Sequence, residues 1–120
     1  MSYLKAFTKQ MEQFINELSE MFPQDKHIAM GKSTLFIVKK ANPRKLLEFF
    51  KFYFYKYEDK IMSKDESFFL ERNFDDQLSD YVKSLNAITN LKQYWKNLTE
   101  KTKNTIWLYL IVLLKLSKKA

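Results

Sequence analysis

The sequence contains one glycine, Gly31, and two prolines, Pro23 and Pro43, where average usage at this length gives about eight and about six. A β architecture needs turn residues about every ten positions. The chain is therefore read as helices joined by short polar links. With 46% hydrophobic and 29% charged residues it has the composition of a folded chain. Its 120 residues are read as one domain, 1 to 120, large enough for a core without cross-links. Cysteine is absent, which excludes a disulfide framework and a thiolate metal site and suits a reducing compartment.

The apolar pattern predicts a compact all-α bundle of about five helices with a buried C-terminal helix. Leu4, Phe7, Met11, Phe14, Leu18 and Met21 recur three and four residues apart, one stripe of a first helix that Pro23 ends. A second helix is placed from Asp25 to Ala41 with Ile28, Leu35 and Val38 inward. Asn42 as N-cap and Pro43 at the first helical position open a third, read as running to about Ile61. An acidic connector follows, with Phe68, Phe69 and Leu70 tucked into the core. A fourth helix is expected from about Asp76 to Asn97, carrying Leu78, Tyr81, Val82, Leu85, Ile88 and Trp95. Thr99 caps the fifth, Glu100 to about Lys118, whose Lys115, Lys118 and Lys119 suit the negative end of the dipole. No internal repeat or domain-splitting linker interrupts this order.

The net charge of +7 is unevenly spread. Residues 1 to 25 carry about −2, residues 26 to 60 about +6, residues 61 to 80 about −4 and residues 81 to 120 about +7. Two basic segments flank an acidic one, which fits either mutual neutralisation in the fold or a surface for phosphates or an acidic partner. The start, "MSYLKAFTKQMEQF", is amphipathic and charged where a secretory signal needs an unbroken apolar core. The apolar run "IWLYLIVLL" ends at Lys115 and is far short of the about 20 residues that span a bilayer. A helix apolar all round at that length is expected to be enclosed by its neighbours, and no membrane span is predicted.

Motifs for chemistry are weak. Gly31, Lys32 and Ser33 match the second half of a phosphate-binding loop, but the position of its first glycine is Lys26 and "EMFPQDK" before it is no strand. His27 has no second His or Cys to share a metal. The carboxylates Asp65, Glu66, Glu71, Asp75, Asp76 and Asp80 cluster, yet Asp75 and Asp76 stand where a helix begins, which already explains acidic residues. No cofactor, metal, catalytic residue or small-molecule substrate is expected, and the chain is read as a non-enzyme.

One feature exceeds what packing requires. Seven of the nine residues in "FFKFYFYKY", Phe49 to Tyr57, are aromatic. Leu46, Phe50, Tyr53, Phe54, Tyr57 and Ile61 fall on one helix face, with Leu47 and Phe49 at its margins. Phe52 and Tyr55 project the other way, among Arg44, Lys45, Lys51 and Lys56. These six residues are the candidate site. They suit docking of a protein or of a second copy, or alternatively a stacking platform for nucleic acid with phosphate-neutralising charges beside it.

The phrases "ELSEMFPQD", "KKANPRKLLEFF", "KDESFFLERNF" and "LKQYWKNLTEKTKNTIWLYLIVLLKLSKK" resemble the short helical proteins of nucleocytoplasmic large DNA viruses, notably those of algae and protists. The resemblance covers nearly the whole chain. It is most specific at Asn42-Pro43, at Asp65, Phe68, Phe69 and Leu70, and at Trp107, Tyr109 and Leu113. It implies a viral origin, a place in the cytoplasm or nucleus of the infected host or in the virion, and no catalytic residue. The leading expectation is a viral protein that docks other proteins, in a virion or an infection-stage complex, through the outer face of the third helix. The alternative is a basic nucleic-acid-binding accessory.

Overall fold

A computed structural model of the chain describes residues 2 to 70 and 91 to 120. It is 84% helical with no strand among the described residues, so the all-α bundle expected from the missing turn residues is what forms. Helix α1 (Tyr3–Met21) is capped by Ser2, whose hydroxyl accepts from Lys5 N at 3.3 Å, and it buries Phe7, Thr8, Met11, Phe14, Ile15 and Leu18. Helix α2 (Lys26–Ala41) is capped by Asp25 and turns Ile28, Gly31, Leu35 and Val38 inward. Asn42 closes α2 and caps α3 (Pro43–Phe54), accepting from Arg44 N at 3.2 Å, so a single residue makes the turn. Proline at the start of α3 loses nothing, because that N–H has no partner in a helix.

Beyond α3 the chain tightens into a 3-10 turn (Tyr55–Tyr57) and then α4 (Glu58–Met62). The third helix therefore stops at Phe54, short of the expected Ile61. A long-range contact is made at this end: the Tyr55 hydroxyl lies 3.0 Å from Ser117 Oγ. Ser117 spends its own proton on the Leu114 carbonyl at 2.8 Å, so Tyr55 is the donor. Lys64 then takes a left-handed conformation, φ 56°, and α5 (Ser67–Leu70) carries Phe68 and Phe69 into the core as expected of the connector, while the side chain of Leu70 lies outside the described ones. Most of the expected fourth helix, with Leu78, Tyr81, Val82, Leu85 and Ile88, lies outside the described residues. Within the expected span the described residues form α6 (Lys92–Trp95), with Trp95 fully buried. Thr99 caps α7 (Glu100–Lys119), accepting from Thr102 N at 3.2 Å.

Helix α7 packs on α1, α3 and α4, while α2 lies against α1 and α3. Phe14 of α1 stacks on Tyr109 of α7 with ring centroids 4.8 Å apart. Phe69 stacks on Trp95 at 4.2 Å, and Trp107 meets Trp95 edge-on at 5.4 Å. Aromatic pairs in these geometries contribute beyond the area they bury. Helix α7 is not enclosed on every side: Leu108 and Val112 stay exposed opposite Ile106, Leu110, Leu113 and Leu114. Among the described residues no helix is long and apolar enough to cross a membrane.

The α1–α2 turn is held by side chains. Asp25 accepts from Ile28 N at 2.9 Å and from the Tyr94 hydroxyl at 2.5 Å, while Phe22 stacks on Tyr94 at 4.2 Å. Burial raises the Asp25 pKa, but the Tyr94 hydroxyl, the Ile28 and His27 amides and the His27 charge outweigh it, so the carboxyl ends below its usual range. The Tyr94 hydroxyl is raised in return by that same bond to Asp25, with burial and the carboxylate charge adding to it. One carboxylate thus caps a helix and clamps α6 to the turn.

Candidate interaction surface

The Asn42–Pro43 turn and the packed face of α3, Leu46, Leu47, Phe50, Tyr53 and Phe54, fix which residues of the aromatic run face outward. Phe52 is one of them: 70% exposed, its ring meets Tyr53 edge-on at 5.0 Å. Tyr55 is not. It is half-buried against the core and donates to Ser117, so the expected pair of outward rings reduces to Phe52 alone. The correction comes from the C-terminal helix: Tyr55 keeps helical backbone angles, φ −61° and ψ −37°, with its N–H on the Lys51 carbonyl, and its ring is covered where Ser117 of α7 meets its hydroxyl.

The cations divide as well. Arg44, Lys45 and Lys56 are exposed, and Lys51 is half-buried. Lys51 Nζ lies 5.9 Å from the Tyr55 ring centre and Lys56 Nζ 5.5 Å from that of Tyr57. Both distances are within cation–π range. Arg44 and Lys45 stand in the first turn of α3, which has no acidic residue. Cations there oppose the helix dipole, so helix stability does not account for them.

A second outward apolar face lies on α2, and it was not among the candidates. Met30 is 48%, Phe36 64% and Ile37 67% exposed. The signal was the run "LFIV", Leu35 to Val38: four successive residues occupy four sides of a helix, so a helix packed on one side must show two of them to solvent.

The chemical motifs find ordinary places. Gly31, Lys32, Ser33 and Thr34 lie inside α2, where their amides belong to the helix ladder and cannot cradle a phosphate. His27 is exposed in the first turn of α2. Asp65 accepts from Ser67 N at 3.0 Å and Glu66 pairs with Lys103 at 3.2 Å. Glu71, Asp75, Asp76 and Asp80 lie outside the described residues, and among the described residues no three metal-ligating side chains gather. Comparison with family models, curated proteins and solved structures returns no match.

Proposed function

We propose that this chain is a non-enzymatic docking protein that binds another protein through the outer face of α3. The observation that carries this reading is Phe52, 70% exposed on a helix whose other side is fully committed to the core. A lone aromatic ring beside exposed Arg44, Lys45 and Lys56 has the character of an interface anchor with a charged rim. The placing of Arg44 and Lys45 against the helix dipole supports it, because a locally unfavourable choice is expected where a surface serves binding. Loss of Tyr55 from the outward set weakens the nucleic-acid alternative, since sequence-tolerant platforms stack successive bases on several rings. A viral setting, in the infected cell or the virion, rests on the sequence resemblance and belongs to the same proposal.

The test is capture from extracts of infected host cells by the wild type and by Phe52→Ser, each with and without nuclease. A protein partner retained after nuclease and lost with the ring supports the reading. Replacement of Lys45, Lys51 and Lys56 by Gln should then chiefly slow association and change its salt dependence. Capture that depends on the lysines, survives Phe52→Ser and disappears with nuclease overturns it in favour of nucleic acid.

A further inference from the structure

Independently of Phe52, the outer face of α2 combines two properties. Met30, Phe36 and Ile37 are exposed along about two turns of the helix. Lys26 and Lys40 stand near its two ends and Lys32 on its flank, all three exposed and making no ion pair with a described residue. From Lys26 to Leu47 the chain contains no Asp or Glu, whereas Lys26, Lys32, Lys39, Lys40, Arg44 and Lys45 fall in that stretch. Of these, Lys39 is engaged with Glu12 of α1. Lys26 opens the helix, against its dipole and with no acidic residue in the first turn. The face thus combines apolar side chains with cations, and α2 itself carries no charge of the other sign.

We propose that the outer face of α2 is a docking surface for an anionic lipid bilayer, on which the helix lies in the plane of the headgroups with Met30, Phe36 and Ile37 dipped toward the acyl boundary. Three arguments select this occupant. The first is charge: a rim of one sign reads only the sign of its partner, which is what a uniform anionic lipid surface offers, whereas a protein partner is set in register by charges of both signs. The second is area. A helix of 16 residues is about 24 Å long and about 10 Å wide, so its outer face projects about 240 Å², against about 800 Å² per partner in a standard protein interface. A bilayer needs no such area, because partition requires only apolar side chains and attraction of the cations. The third concerns a second copy, which would bring the same lysines together with no carboxylate on either α2 to answer them. Lysine stems suit this arrangement, since they lie along apolar surface while the ammonium reaches the phosphates.

Flotation with vesicles tests the proposal, using phosphatidylcholine alone and phosphatidylcholine with about 30% phosphatidylserine to supply the surface potential. The wild type should float with the anionic vesicles and not with the neutral ones. Phe36→Ser with Ile37→Ser should lower the partition at least about tenfold with an unchanged circular dichroism spectrum. Replacement of Lys26, Lys32 and Lys40 by Gln should reduce it by about fivefold per residue, the expected worth of a cation at such a surface. Phe52→Ser should float like the wild type, which separates this surface from that of α3. If the double serine variant does not fold, Phe36→Trp keeps the question open to measurement. With Trp95 and Trp107 already buried, the new indole should shift to the blue and be quenched by brominated acyl chains only when anionic vesicles are present. Absence of wild-type flotation overturns the proposal. So does flotation that persists without Phe36 and Ile37, which would mark plain charge attraction. A concentration-dependent dimer abolished by the same two serines would assign the face to a second copy instead.

Discussion

Helices α1 and α2 follow one another and differ little in length, at 19 and 16 residues, yet they distribute their apolar side chains in opposite ways. In α1 the spacing of three and four puts Phe7, Met11, Phe14 and Leu18 in one buried stripe and leaves the other side polar. In α2 the apolar residues exceed one stripe: Ile28, Leu35 and Val38 are buried, and Met30, Phe36 and Ile37 look outward. Position explains the difference. Among the described residues, helix α1 lies among α2, α3 and α7, whereas α2 packs on α1 and α3. A helix with neighbours on one side can bury only one stripe, so the apolar residues it carries beyond that stripe stabilise something other than the described fold.

The largest expected effect compares one phenylalanine from each helix. Phe14 is fully buried and stacked on Tyr109, so Phe14→Ala should cost about 3 to 5 kcal/mol in urea unfolding, a large share of the stability of a domain this size. Phe36→Ala should stay within about 0.5 kcal/mol, as surface changes do. Equal costs at the two sites would show that the outer face of α2 is packed in solution and would break the contrast between the helices.

A smaller effect concerns the joint between them. Asp25→Ala removes the cap of α2 and the acceptor of Tyr94, and should cost about 1 to 2 kcal/mol at pH 7. Asp25→Asn keeps a capping oxygen and loses the charge, which gives the comparison a pH dependence. The carboxyl of the folded chain titrates below its ordinary value of 3.8. Its ionised form therefore stabilises the fold above the unfolded pKa, and that contribution is lost as the pH falls through the lower, folded value. The stability gap between wild type and Asp25→Asn should be constant above about pH 5 and should close below about pH 4. A gap unchanged down to pH 2 would mean that Asp25 does not hold Tyr94 through its charge.

How much was legible follows from how far each determinant reaches along the chain. The stripe of α1 and the caps Asn42 and Thr99 are written within about one helical turn of the residues they act on, and the fold shows them where the pattern puts them. The covering of Tyr55 was not legible, because its partner Ser117 is 62 residues away and no local pattern encodes that pairing. The outward face of α2 was legible in principle from the run "LFIV". The inward stripe alone does not reveal it, since a stripe names what is buried and leaves the remainder unassigned.

The smallest expected effect tests the polar part of the same helix, at Lys32. Were the GKST run a nucleotide site, its amides would have to leave the α2 ladder, and bound ATP would stabilise the chain by about 2.7 kcal/mol at a hundredfold excess over its dissociation constant. A shift of that size moves the melting temperature of a domain of this length by several degrees and is easily measured. Because Gly31 lies on the packed side and Lys32 on the exposed side of an unbroken helix, Lys32→Ala should change stability by less than about 0.5 kcal/mol, and ATP should leave the melting curves of both proteins unmoved. A saturable rise with ATP in the wild type that disappears in the variant would require α2 to open at Gly31. That result would replace the contrast between an enclosed and a half-enclosed helix with one between a rigid helix and a ligand-responsive one.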